Sequence, residues 1–226
     1  MKKIYIIANW KSNKTESEAK NWLDGLKIYS PAGEAGDLGL TNKEIIICPS
    51  FTLLPILRSL IINHKSNIKL GAQNLSPFDE GAYTGEVSAR QIKDFADYVL
   101  IGHSERRTNF NESDEILFKK VELAGKYGLT PIFCVQGKET QIPTKSNIVA
   151  YEPIDAIGTG HPDTPENAED VASFFKKDYN IGHVLYGGSV TSKNVKEFTQ
   201  MPNIEGVLVG KASLDAKEFY AIIQNA

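Results

Sequence analysis

Eight short, nearly unbroken apolar runs, separated by stretches of helical period, limit what this chain can fold into more than any other feature. They are "KIYIIAN" (3–9), "EIIICPS" (44–50), "IKLGAQN" (68–74), "YVLIGHS" (98–104), "PIFCV" (131–135), "NIVAYE" (147–152), "HVLYGGS" (183–189) and "GVLVGKA" (206–212). A half-exposed strand alternates apolar and polar residues, whereas runs like these are apolar on both faces, the pattern of a parallel sheet covered on each side. The segments between most of them carry helix signals. "SDEILFKKVELAGKYG" opens on Ser113, places Ile116, Leu117, Val121 and Ala124 on one face, and has Gly128 to end it. "TPENAEDVASFFKK" offers Thr164 as cap, Pro165 at the first helical position and Glu166 where a negative charge suits the helix dipole. "TSKNVKEFTQ" and "SLDAKEFYAIIQ" repeat that arrangement near the C-terminus.

The alternation runs through 226 residues with no low-complexity linker and no composition break. It predicts one domain, residues 1–226, with the α/β fold of an eight-fold (β/α) barrel. A doubly wound open sheet is the other arrangement it allows. One link is thin: "QGKETQIPTKS" (136–146) joins runs five and six. That is near the lower limit of about a dozen residues for a parallel crossover, so a helical turn or less is expected there.

Charge and cysteine usage narrow the partners. A formal net charge of -3 gives no basic footprint, so neither nucleic acid nor an anionic membrane surface is expected. An anionic small molecule would need a local positive site. The N-terminal "MKKIYIIANWK" has an apolar run too short for a leader peptide, and no segment approaches the roughly 18 apolar residues of a membrane span. Cys48 and Cys134 each sit inside an apolar run, which reads as two buried thiols in a cytoplasmic protein.

In a barrel of this kind chemistry gathers where the strands end, because the loops there converge over the axis. Run one ends in Asn9 and Lys11, run four in His103 and Glu105, run six in Glu152, run seven in "GGS" and run eight in "GKAS". Each has an ordinary reading: Lys11 as a solvated surface charge, His103 as a structural histidine, Glu152 as a turn cap. Together they supply a cation, an imidazole, a carboxylate base and two glycine turns at one sheet edge. Glycine lets backbone N–H groups approach an anion, and turns after strands seven and eight commonly hold phosphate. Ser189, Gly188 and Gly210, with Gly158 from "AIGTG", would form that end, and Lys11 would add positive charge. Glu152 and His103 are then left for the other end of a short phosphorylated substrate, as base and hydrogen-bond donor. The four histidines show no metal-ligand spacing, and no metal is expected. A different phosphate-binding barrel enzyme, such as an epimerase or synthase, or a non-catalytic barrel serving as a binding partner, also fits the glycine turns.

"NWK" (9–11), "GAYTGEVS" (81–88), "GHSERR" (102–107), "AYEP" with "AIGTG" (150–160) and "YGGSV" (186–190) closely resemble the triose-phosphate isomerases, in that family's order and over essentially the whole chain. The resemblance implies a TIM barrel that interconverts dihydroxyacetone phosphate and D-glyceraldehyde 3-phosphate through an enediol(ate), with no cofactor. It assigns Glu152 as the base, His103 as a neutral electrophile, Asn9 and Lys11 as orienting and stabilising residues, and Glu105 as an acid that holds their geometry. It makes residues 153–163 a lid over the phosphate. It makes "QNLSPFDEGAYTGEVS", around residues 75–85, a loop that enters a second subunit of a homodimer and carries Thr84 to its site.

Four departures accompany it. Asp155 stands where the family usually has tryptophan, "HPD" (161–163) where a lysine-led hinge is usual, and "CVQG" after run five where the usual "CIGE" has its acid at the position of Gly137. In the family that acid and that tryptophan can touch, so their joint loss is open to compensation. Asp155 is expected to leave a lid that closes with a shifted balance. Lys211 stands where a second glycine is usual. It is expected to offer its amide to phosphate while its side chain projects away or adds charge.

Overall fold

The computed structural model describes residues 2–26, 42–63, 66–156 and 162–226. All eight runs are strands: β1 (Ile4–Asn9), β2 (Lys43–Cys48), β3 (Lys69–Ala72), β4 (Tyr98–Ile101), β5 (Thr130–Val135), β6 (Ile148–Tyr151), β7 (His183–Tyr186) and β8 (Gly206–Val209). Each pairs in parallel with the next, and β8 pairs with β1 from Tyr5↔Gly206 to Ala8↔Val209, so the sheet is a closed barrel and the open-sheet alternative falls. Eight helices are described around it: α1 (Glu16–Gly25), α2 (Leu54–Asn63), α3 (Ala89–Lys93), α4 (Ser104–Phe110), α5 (Asp114–Lys126), α6 (Pro165–Tyr179), α7 (Val195–Thr199) and α8 (Ala216–Asn225).

Strand side chains alternate between two cores. Tyr5 and Ile7 of β1, Ile148 and Ala150 of β6, Leu185 of β7 and Leu208 of β8 fill the barrel. Ile4, Ile6, Ala8, Val149, Tyr151, Tyr186, Val207 and Val209 pack outward beneath the helices. The inward parity reaches Asn9 at the end of β1 and, one step past β6, β7 and β8, Glu152, Gly187 and Gly210. Four of the residues singled out by the strand-end rule are therefore aimed at the axis by the period of a strand alone. Closure has one tight point: Gly206 lies at φ +149, and a Cβ there would collide with the Tyr5 backbone.

The helix signals hold locally. Ser113 caps α5 by accepting from the Ile116 amide, and Thr164 caps α6 by accepting from the Asn167 amide, with Pro165 in first place. Gly128, at φ +73, ends α5 in a reversal closed by Leu129 N–H to the Ala124 carbonyl, 2.9 Å. Of the expected apolar face Leu117, Val121 and Ala124 are buried, while Ile116 is only partly so and Lys120 is buried in its place. α7 begins later than "TSKNVKEFTQ" suggests, because the Asn194 side chain accepts from the Thr191 amide at 2.8 Å and holds residues 191–194 as a turn. α8 begins on Asp215, whose carboxylate accepts from the Glu218 amide. Between β5 and β6 the chain has only hydrogen-bonded turns, Thr140 N–H to Gly137 and Ser146 N–H to Pro143, as its length requires.

The opposite end of the barrel bears on stability. His183 opens β7 with its ring 5.1 Å from that of Tyr5, and burial, opposed by Glu205, holds its pKa below the usual histidine value; Glu44, Lys3 and Lys176 are the other charges facing it. The unfolded chain therefore takes up a proton near pH 6.5 that the folded chain resists, so stability falls as pH drops through and below that value. His183→Gln should flatten the melting temperature against pH between about pH 5 and 7. An unchanged slope would remove His183 from the acid response.

Candidate active site

At the C-terminal mouth of the barrel the described residues enclose a cleft of about 810 Å³, lined by Asn9, Lys11, His103, Glu152, Gly187, Gly188, Ser189, Gly210 and Lys211 among others. Such a volume suits a small-molecule site. Every described residue proposed from the sequence for substrate contact is in that lining. Glu105 stands behind it through Lys11 and His103. Gly158 and His161 lie outside the described residues, as do residues 157, 159 and 160 and the side chain of Asp155.

Lys11 follows β1 in a left-handed conformation, φ +52. Two neighbours hold it: its N–H donates to Asn9 Oδ1 at 3.1 Å, and its carbonyl accepts from Gln73 Nε2 at 2.9 Å. Gln73 also donates to the Cys48 carbonyl, which ties the ends of β1 and β2. The Lys11 ammonium is 2.5 Å from Glu105 Oε1. It also reaches Gly210, where an added Cβ would lie 3.9 Å from Nζ. Glycine at 210 thus leaves room between the cation and the β8 turn.

β4 ends at Gly102, φ +75, where the chain turns to present His103 as the cap of α4. Arg107 pins that turn by donating to the Gly102 carbonyl at 3.0 Å and to Asp114 at 2.8 Å. His103 Nδ1 accepts from the Glu105 amide at 3.2 Å. A nitrogen that accepts carries the lone pair, so the neutral ring keeps its proton on Nε2. Nε2 stands 3.1 Å from Glu152 Oε1. The imidazole therefore meets the cleft as a donor, and the carboxylate meets it as an acceptor.

Glu152 is 1% exposed and extends β6 by one bond, its N–H donating to the Val135 carbonyl at 2.7 Å. Its Oε2 accepts from the Ser104 amide at 2.9 Å. The neighbouring Cys134 thiol is pushed well above the ordinary cysteine range, by burial first and then by the Glu152 charge, so it stays a thiol. Both cysteines are free and buried, as their apolar runs imply. A Cβ on Gly187 would press to 2.9 Å from Glu152 Cγ. Glycine there is required by the packing of the base as well as by any anion.

The last turns are open to a ligand. Ser189 donates through Oγ to the Ala156 carbonyl at 2.8 Å. Gly210 precedes a short 3-10 turn, Lys211–Leu214, closed by Ser213 N–H to the Gly210 carbonyl. Lys211 is exposed and forms no ion pair among the described residues. Gln73, Ser104 and Cys134 were missed by the sequence reading. The strand-end rule applied to β3 finds Gln73, whereas the Ser104 amide and the Cys134 thiol carry no residue-type signal. Thr84 does not line the cleft of its own chain. Its loop exposes Phe78 and Tyr83 as a stacked pair, 4.3 Å between ring centroids. Among the described residues no group of three His, Cys, Asp or Glu side chains is arranged to hold a metal, and no helix is long and apolar enough to cross a membrane.

Comparison with known proteins agrees with this geometry. A family model described as Triosephosphate isomerase matches residues 4–145 and 138–226, the two matches overlapping within the short crossover. The chain is similar to a protein named triosephosphate isomerase of Dictyoglomus thermophilum, 38% identical over 258 aligned positions and all of both chains. It is 39% identical over 250 positions and all of both chains to the protein of that name from Mesomycoplasma hyopneumoniae. With the Aquifex aeolicus protein of that name it shares 38% over 249 positions, 96% of this chain and 97% of the other.

Proposed function

The chain belongs to the triosephosphate isomerase family, and from that premise we propose how its own residues carry the reaction. It is an aldose-ketose isomerase that interconverts dihydroxyacetone phosphate and D-glyceraldehyde 3-phosphate, a step of glycolysis and gluconeogenesis. The observation that carries the assignment of roles is the facing pair His103 Nε2 and Glu152 Oε1, 3.1 Å apart in the cleft.

A substrate carbonyl and its neighbouring C–H entering between that pair meet a donor and a base at once. Glu152 takes the carbon-bound proton of one carbon and returns it to the next. His103 donates from Nε2 to the oxygen that gains charge, so the enediolate forms as a hydrogen-bonded species rather than a free anion. Lys11 and Asn9 orient the substrate and oppose the developing charge, and Glu105 holds Lys11 and His103 in place. The phosphate lies against the amides of Gly188, Ser189, Gly210 and Lys211, with Gly158 brought over it by the lid, residues 153–163. Excluding water there protects the enediolate from losing phosphate. No cofactor takes part.

We place all of residues 1–226 in one catalytic domain, acting as a cytoplasmic homodimer with no nucleic-acid or membrane partner. The exposed Phe78–Tyr83 pair on the loop around residues 75–85 supports the dimer, with Thr84 reaching the neighbouring site. A coupled assay of triose-phosphate turnover tests the whole reading; a folded chain with no turnover of either triose phosphate refutes it.

Lys211 supplies what an acidic protein with an anionic substrate lacks. Lys11 is already paired with Glu105, whereas Lys211 sits at the phosphate end without an ion pair among the described residues. Lys211→Gln should lower kcat/KM by roughly 3- to 10-fold at low ionic strength, and the difference should fade as salt screens it. Lys211→Gly should not bind a phosphate-bearing inhibitor more tightly than the parent; a gain in affinity would show that the side chain obstructs the site.

A further inference from the structure

We propose that Asp163 is a positioning residue: its carboxylate ties the start of α6 to Tyr151 at the end of β6, and thereby fixes where Glu152 stands. The proposal rests on Glu152 being the base. Asp163 makes four hydrogen bonds to four different residues. Its N–H donates to the Tyr186 hydroxyl at 2.8 Å. Its Oδ2 accepts from the Tyr151 hydroxyl at 3.1 Å and from Asn167 Nδ2 at 2.6 Å. Its Oδ1 accepts from the Thr164 amide at 2.8 Å.

Two of these partners bear directly on the site. Tyr151 immediately precedes Glu152, and the two point to opposite sides of β6, Tyr151 outward and Glu152 to the axis. Fixing the Tyr151 ring from outside fixes the backbone from which Glu152 projects. The Tyr151 carbonyl also accepts from the Gly187 amide at 2.7 Å, so the base and the β7 turn share one backbone unit. Tyr186 passes beneath that turn, and a Cβ on Gly188 would collide with its hydroxyl. Moving the Tyr186 hydroxyl therefore moves the turn. Both phenols are held protonated. Burial raises Tyr151 above the usual phenol range, with the Asp163 charge adding to it, and burial pushes Tyr186 up to about 12. Tyr151 thus remains a donor to Asp163 at any working pH.

A simpler role as helix cap does not account for this set. Thr164 already caps α6 through its own hydroxyl, and the Asp163 bonds to Tyr151 and Tyr186 contribute nothing to helix termini. They join β6, β7 and α6 at the point where the chain returns to the barrel.

The test is a double-mutant cycle in the full-length protein, measuring steady-state turnover of glyceraldehyde 3-phosphate. Asp163→Ala and Tyr151→Phe should each lower kcat about 10-fold with KM within about twofold, the effect of losing the one part-buried charge-assisted hydrogen bond they share. The double variant should be no slower than Asp163→Ala, because both act through one bond. Asp163→Asn, which keeps an acceptor oxygen, should recover part of kcat. Thr164→Ala should lower the melting temperature and leave kcat alone. Unchanged kcat in Asp163→Ala and Tyr151→Phe, or effects that multiply in the double variant, would overturn the proposal. Should Asp163→Ala not fold, Tyr151→Phe and Asp163→Asn decide it: wild-type kcat in both overturns it. A parent chain that turns over neither triose phosphate removes the functional reading instead, and this proposal falls with it.

Discussion

Glu152→Ala should lower kcat for triose-phosphate interconversion by about 10²- to 10⁴-fold while the chain stays folded. That is a loss of about 3–5 kcal/mol of transition-state stabilisation, at 1.36 kcal/mol per tenfold. The expectation follows from where the carboxylate stands. It is 1% exposed, accepts from the Ser104 amide and faces Nε2 of His103 in the cleft. Glu152→Asp makes a sharper test. It keeps the acid but withdraws it by one methylene, and a misplacement of about 1 Å costs on the order of 10²-fold when geometry carries the rate. Aspartate should therefore fall between glutamate and alanine, with circular dichroism unchanged in both variants. Turnover in Glu152→Ala equal to the parent's would remove Glu152 as the base.

The contrast between what the sequence discloses about Glu152 and what it hides about its supports has a physical basis. Strand runs and inward parity are local, period-two properties, so Asn9, Glu152, Gly187 and Gly210 are found by counting along single strands. The missing helix between β5 and β6 is also local, because residues 136–146 are too few to form one. Lys120 is different. It lies on the inner face of α5 with its ammonium 2.6 Å from Glu112 and 2.7 Å from Asn74, and a charge is buried only when such partners arrive from elsewhere. Nothing in "DEILFKKVEL" tells Lys119, which is exposed, from Lys120. The Ser104 amide is hidden for the same reason: it meets Glu152 only because β4 and β6 end at the same mouth of the barrel. "HPD" is visible in the sequence as a departure, but the two tyrosines that Asp163 meets are not.

Lys11 carries the second large effect, and two substitutions separate its charge from its backbone. Lys11→Ala and Lys11→Gly both remove the ammonium that stands between Glu105 and Gly210. Both should cost about 10²- to 10³-fold in kcat, the usual loss when one preorganised donor to a developing oxyanion is taken away. Stability should part them. Residue 11 lies at φ +52, a conformation that costs a side chain of either size on the order of 1–2 kcal/mol and costs glycine almost nothing. Lys11→Gly should therefore melt at a higher temperature than Lys11→Ala, although glycine in an ordinary conformation is the less stable choice. Glu105 loses its partner equally in both and is partly solvated, so it does not confound the comparison. Equal melting temperatures would mean that the left-handed turn stores no strain, and near-parental kcat in either variant would mean that the charge is not used. If both expectations hold, the chain keeps at position 11 a residue its backbone disfavours. The reason is then the cation that the left-handed turn, held by Asn9 and Gln73, swings over the mouth of the barrel.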